Sequence, residues 1–277
     1  MIRPSNQSCY LYFKQCTEDF GSYNVAESFG NMISRKKFLR DVDAIAGYLD
    51  KSNIKRGDVV TIFLPTVVQS FAAFYAVNKI GAIGNIVHPL TPANVLDEML
   101  GETNSKAIFI LDILAAPYKD VLEKRNLLTI ICSNSDYVQK VFKPAFKIYE
   151  KTKVKDDINV SRRISYNTVT HLSFITKAVE NNGGDDAVYL HGGGTTGKSK
   201  TIRISSNNLN ALAFKLSFFD SPHEPGDEFS LIVLPPFRAC HVQRLLLKFF
   251  IVFLYAIIIS HPCAFVKHFR DRSLFRI

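Results

Sequence analysis

The chain has 277 residues, 47% hydrophobic and 21% charged, enough apolar material for one large or two ordinary domains, which excludes disorder, collagen and a small disulfide scaffold. Five scattered cysteines, an odd number with no CxxC pair, fit neither a secreted disulfide framework nor a zinc site, and point to a reducing cytoplasm. The net charge of +9 is uneven: residues 238–277 carry seven basic side chains against one acid, and no basic stripe interleaved with aromatics precedes them, so no nucleic-acid partner is expected.

Residues 1–30 have mixed composition, no apolar export segment and no clear periodicity. Beyond Ser34, a capping serine, Phe38, Val42, Ile45, Ala46 and Leu49 recur at three- and four-residue steps and predict an amphipathic helix. A turn at Gly57 leads into VVTIFL (59–64), a continuous apolar run of the kind buried in a parallel sheet. A helix over 68–80 closed by Gly81, a strand over 82–87, and a helix opened by Thr91 and Pro92 follow. AIFIL (107–111) and LLTIIC (127–132) continue the strands, with a helical segment between. Strands about twenty residues apart with helices between them are βαβ units, so the fold class is α/β, with layered sheets and flanking helices.

Residues 150–165 are polar and charged, and read as a surface connection at a subdomain junction. A helix over Val169 to Glu180, a turn cluster at 181–186 with solvated Asp185 and Asp186, and a strand over 187–191 come next. His88 reads as a hydrogen-bonded loop histidine; His191 stands at a strand end, where side chains reach phosphate sites. No Ser-His-Asp or Cys-His pairing follows from the spacing.

Gly192 to Lys200 holds four glycines, two threonines and two lysines among nine residues. Glycines let successive N–H groups turn toward an anion, threonine hydroxyls donate to phosphate oxygens, and lysines balance charge. The reading is a polyphosphate cradle. Two loops fit these letters. Gly192, Gly197, Lys198 and Ser199 match GxxxxGK[ST], the P-loop of an NTPase, which needs a helix opening inside the motif. TIRIS (201–205) instead alternates as a strand does, and the next helix starts at Ser205 or Ser206 ahead of Leu209, Leu212 and Ala213.

The second reading resembles the adenylate-forming, AMP-binding superfamily of acyl-CoA synthetases, whose signature is [ST]-[SG]-G-T-T-G-x-P-K-G. Gly193, Gly194, Thr195, Thr196, Gly197, Lys198 and Lys200 stand in register with it, and SSNNL (205–209) occupies the place of the family's T-H-R-N-L. Ser199 replaces the usual Pro and Thr201 the usual Gly. The stretch GDVVTIFLP, FYAVNKIGAIGNIVHPLTP and NSKAIFILD (57–112) is similar to the family's first subdomain, and the texture is that of the long-chain acyl-CoA ligases.

The resemblance covers residues 31–237 as an incomplete AMP-binding domain, ending in LIVLPPF (231–237), where Arg238 replaces an expected histidine. It implies ATP, Mg²⁺ and CoA as cofactors and a small-molecule carboxylic acid as substrate. The family's later motifs, Y-G-x-[ST]-E with its Mg²⁺-holding acid, T-G-D and the C-terminal lysine, have no counterpart in this chain. The resemblance therefore implies a truncated acid-thiol ligase inactive alone, with a P-loop NTPase and a non-catalytic remnant as alternatives. Residues 238–277 form an atypical basic and hydrophobic tail, read as the product of a shifted frame. Its apolar run at 249–259 is shorter than the roughly 20 residues of a membrane span, so membrane association through 245–259 is not favoured.

Overall fold

The computed structural model describes residues 6–18, 23–153, 160–174, 176–180, 182–192 and 200–216. In chain order these form α1 (Cys9–Cys16), β1 (Asn24–Ser28), β2 (Asn31–Ser34), α2 (Arg35–Lys51), β3 (Val59–Phe63), α3 (Val68–Lys79), β4 (Ile83–Ile86), α4 (Ala93–Glu102) and β5 (Ser105–Leu111). There follow α5 (Asp112–Ala115), α6 (Lys119–Lys124), β6 (Leu128–Cys132), α7 (Lys143–Lys153), β7 (Arg163–Ser165), α8 (Tyr166–His171), β8 (Asp186–Gly192), β9 (Lys200–Ser205) and α9 (Ser206–Leu216).

Seven strands make one sheet in the order β7-β6-β5-β3-β4-β8-β9. Every neighbouring pair is parallel except the last, in which β9 runs antiparallel to β8. The α/β class is as the sequence predicts. Alternation along each strand sends residues to opposite faces: Val60, Ile62, Ala107 and Phe109 join a core with α2 and α3, while Phe63, Ile108 and Ile110 join a second core with α4 and α6. All five residues of β3 are buried, which is why that segment is apolar but for Thr61.

Local chemistry sets the boundaries. The Ser34 hydroxyl accepts from the Lys37 amide at 3.2 Å and caps α2. Gly81, at φ +74°, ends α3, and the next amide, of Ala82, returns to the Val77 carbonyl at 3.0 Å. The Asp41 carboxylate, fully buried in α2, accepts from the Tyr137 hydroxyl at 2.7 Å, and Tyr137 meets the Tyr166 hydroxyl at 2.9 Å.

Four sequence expectations are corrected. The helix predicted over 169–180 is α8, which covers only 166–171; its apolar spacing does not persist beyond Leu172, and the chain runs on without regular structure through the described residues to 180. The helix after Thr91 starts at Ala93 with Pro92 as its cap, because no threonine hydroxyl bond closes its first turn. Residues 150–165 are not wholly a connection: they include the end of α7 and strand β7. Asp185 and Asp186 are not merely solvated, since Asp185 pairs with Arg56 at 2.6 Å and Asp186 with Arg203. The first thirty residues, unassigned by periodicity, contribute α1 and β1.

The start of the chain clasps the region around the glycine-rich loop. The Gly183 amide donates to the Asn6 carbonyl at 2.8 Å, Asn207 Nδ2 to Asn6 Oδ1 at 3.0 Å, and Asn210 Nδ2 to the Gln7 carbonyl at 2.9 Å. Cys9 Sγ reaches the Ser206 carbonyl at 3.9 Å.

Candidate functional site

Parallel α/β sheets bind ligands beyond the carboxyl ends of their strands. β8 ends at Gly192 on that edge, and the chain returns in β9 at Lys200, its cross-strand partner. The segment between is the loop singled out above. Of the predicted site residues, Lys200 is the first of β9; Gly193, Gly194, Thr195, Thr196, Gly197 and Lys198 lie outside the described residues.

β9 continues to Ser205, and α9 follows at once. The Ser205 hydroxyl accepts from the Asn208 amide at 3.3 Å, and Asn208 Oδ1 accepts from the Ser205 amide at 3.1 Å, a reciprocal cap that fixes the helix start. The order is strand, loop, strand, helix. A P-loop needs its helix to open at the lysine-serine pair, and here a six-residue strand intervenes.

His191, the penultimate residue of β8, is held from below by a polar chain across the sheet. Its Nε2 lies 2.7 Å from Asn85 Oδ1 in β4. Asn85 Nδ2 donates to the Thr61 hydroxyl at 3.0 Å, Thr61 and Ser105 hydroxyls are 2.8 Å apart, Ser105 and Thr103 are 2.9 Å apart, and Thr103 donates to the Met99 carbonyl at 2.8 Å. The terminal carbonyl can only accept, so the chain has one consistent direction: Thr103 gives its proton to Met99, Ser105 to Thr103, Thr61 to Ser105 and Asn85 to Thr61. Asn85 Oδ1 is thereby the acceptor, and His191 carries its proton on Nε2.

That tautomer leaves His191 Nδ1 as an acceptor, with the Thr201 hydroxyl at 3.4 Å. Burial lowers the imidazole's proton affinity below its ordinary value, against the opposing charge of Glu102, which favours the neutral ring. His191 is therefore an uncharged post at the base of the loop. At the other end of the hairpin, Asp186 Oδ2 accepts from Arg203 Nε at 2.7 Å and the Tyr189 hydroxyl at 3.2 Å. A cleft of about 400 Å³ bounded by Thr103, Asn104, Tyr189, Thr201 and Arg203 opens beside it.

His88 accepts from the Leu90 amide at 3.0 Å within its own turn, the structural role expected of it. Asn85, Thr61, Thr103 and Ser105 were not singled out by motif reasoning. Their signal is a polar residue inside an apolar strand: Thr61 in VVTIFL and Asn85 in AIGNIV have to find partners within the sheet.

A largely parallel sheet whose last strand, β9, returns antiparallel beside β8 and leads into a capped helix is the order the AMP-binding resemblance implies. The chain belongs to the AMP-binding enzyme family, which it matches over residues 15–255. The long-chain-fatty-acid–CoA ligase of Salmonella typhimurium is 23% identical over 242 residues, covering 83% of this chain and 42% of that protein. Acetyl-coenzyme A synthetase 2 of Saccharomyces cerevisiae is 36% identical over 86 residues, 31% of this chain and 13% of the relative. The acetoacetyl-CoA synthetase of Streptomyces lividans shares the fold, with a TM-score of 0.69 at 14% identity over 91% of this chain and 38% of its own. The chain spans less than half the length of each of these three relatives.

Among the described residues, no group of three His, Cys, Asp or Glu side chains could hold a metal ion, and no helix is long and apolar enough to cross a membrane.

Proposed function

We propose that the chain is the nucleotide-cradling portion of an AMP-forming acid-thiol ligase. The single observation that carries this reading is the Gly192–Lys200 pairing, which returns the chain in an antiparallel strand instead of a helix. In an intact ligase of this kind a carboxylate attacks the α-phosphate of ATP, giving acyl-AMP and pyrophosphate, and CoA then displaces AMP to form the thioester. Thr195, Thr196 and Gly197 would contact the β- and γ-phosphates, Gly193 and Gly194 shape the turn, and Lys198 and Lys200 balance phosphate charge. The substrate class is a small-molecule carboxylic acid of the fatty or short-chain type, and a cytoplasmic site suits the free thiols of Cys9, Cys16 and Cys132.

Mg²⁺, when bound to ATP, neutralises charge as pyrophosphate leaves. The acid that would hold Mg²⁺, the ribose-gripping aspartate and the C-terminal lysine that the resemblance implies have no counterpart among the 277 residues. The chain on its own is therefore proposed to bind ATP without completing adenylation, since in-line displacement without those groups loses most of its charge stabilisation.

Two measurements test this. Calorimetric titration with ATP is expected to show binding that Thr195→Ala together with Thr196→Ala abolishes, and ATP–pyrophosphate exchange over a panel of carboxylic acids is expected to stay at background. Absence of ATP binding sinks the cradle. Exchange above background sinks the proposed inactivity, and acid-independent release of orthophosphate points instead to an NTPase.

A further inference from the structure

Eight large apolar side chains are exposed among the described residues, and five stand on two adjoining segments: Phe29 and Met32 in the β1–β2 hairpin, and Val141, Phe142 and Ile148 in and just before α7. The segments are joined. The Phe29 and Phe146 rings lie 5.0 Å apart, Asn31 Nδ2 donates to the Tyr137 carbonyl at 2.9 Å, and the Gln139 side-chain amide donates to the Gly30 carbonyl.

Backbone bonds from Lys143 N to the Gln139 carbonyl and from Phe146 N to the Phe142 carbonyl carry the helical path back through Val141. On that path Val141, Ala145 and Ile148 follow one another at i, i+4 and i+7, and all three are exposed. Phe142 and Phe146 form the neighbouring row, in which Phe146 meets Phe29 of the hairpin and Phe142 is exposed. Lys140, Lys143 and Lys147 run along the other flank, and Lys140 and Lys147 are exposed.

Acid is sparse on this surface, with Glu27 of the hairpin exposed and none exposed from 138 to 148. Glu150 is the only acid between residues 138 and 153, and it is buried, accepting from the Ser133 hydroxyl at 2.8 Å and the Ser135 amide at 3.0 Å. In the hairpin the one acid is Glu27, opposite Met32. An exposed apolar row beside a row of lysines is the pattern of a helix lying in a lipid interface, where apolar groups enter the headgroup boundary and lysine heads meet phosphates. The cores of protein–protein interfaces, by contrast, are depleted in lysine.

We propose that the face formed by α7 and the β1–β2 turn is a docking surface for an anionic lipid membrane, with Phe29, Val141, Phe142 and Ile148 as the inserting side chains and Lys140 and Lys147 as the phosphate contacts. It rests on nothing in the glycine-rich loop.

Co-sedimentation of the full chain with vesicles of phosphatidylcholine containing one-third phosphatidylglycerol, compared with phosphatidylcholine alone, tests it. Binding to the anionic vesicles is expected to be about tenfold or more the stronger and to weaken with added salt. Phe142→Asp with Ile148→Asp lowers it about tenfold or more, and Lys140→Glu with Lys147→Glu lowers it comparably while removing the salt dependence. These side chains are exposed, so circular dichroism is expected to be unchanged. Phe253→Asp, in the apolar run of the tail, binds as the unaltered chain. Equal binding to both vesicles, no binding to either, or a loss caused by Phe253→Asp and not by the α7 substitutions overturns the proposal. So does self-association or capture by poly-glutamate that the α7 substitutions abolish while vesicle binding persists.

Discussion

His191 Nε2 stands 2.7 Å from Asn85 Oδ1, so the strand that enters the glycine-rich loop is fixed to the interior of its neighbour by a side-chain bond as well as by the backbone ladder. Asn85 is fully buried and joins three partners, His191, Thr61 and, at 3.5 Å, Thr103. Replacing it with alanine leaves the His191 imidazole N–H unmatched in the sheet and takes from the Thr61 hydroxyl the donor it accepts from. Asn85→Ala is expected to cost about 2 kcal/mol in denaturant unfolding. A change below about 0.5 kcal/mol would mean the chain of hydroxyls does not hold the strand.

Gly47 lies inside α2, where a Cβ would come within 2.6 Å of Phe174 Cβ and 2.9 Å of the Phe174 carbonyl carbon and oxygen. Backbone cannot yield as a flexible side chain does. Gly47→Ala, ordinarily favourable in a helix, is expected here to destabilise by about 1–3 kcal/mol, read as a lower unfolding midpoint.

Burial pushes the Asp112 and Asp136 carboxyls up to about 6. Both follow strands at the carboxyl edge of the sheet, near Ser133. The folded-state value lies above the unfolded one, so the stability gained from the retained proton is complete below about pH 4 and is lost as pH rises through about 6. Asp112→Asn is therefore expected to gain about 1 kcal/mol at pH 7 and nothing at pH 4. Unfolding curves at the two pH values decide it; a gain independent of pH contradicts the assigned cause.

Lys200 is the first residue of β9, exposed beside the loop. If it balances phosphate charge, Lys200→Ala weakens ATP binding by about five- to tenfold, and Lys200→Arg restores most of it. Calorimetric titration of the three chains measures this, and unaltered affinity in the alanine variant removes Lys200 from the site.

What could be read before folding follows from what each segment asks of its neighbours. Helix α2 and strand β3 are legible because burial imposes a pattern of their own, a period of three to four residues in one and a short β-branched run, apolar but for Thr61, in the other. The order strand, loop, strand, helix around Gly192 is legible because TIRIS alternates and Ser205 caps. α1 is not, because its eight residues bury only Cys9, Tyr10 and Phe13 and its partners are distant in sequence. The helix expected over 169–180 failed for the opposite reason: Phe174 is placed by packing on Gly47, Tyr48 and Lys51 of α2, with no helical repeat behind it. The polar chain from His191 to Met99 is assembled by strand register, which a linear reading does not contain.

The clasp between the chain's start and α9 bears on biosynthesis. Cys9 and Gln7 bond to residues 197 and 203 positions downstream. The bonds of Gln7 and Cys9 to α9 cannot form until about two hundred further residues have been made, whereas Tyr10 and Phe13 find their partners earlier, in Phe38, Asp43, Tyr75 and Lys79 of α2 and α3. Closure of that clasp is thus a late event in synthesis, a link of high sequence separation made after the local packing of α1 on α3.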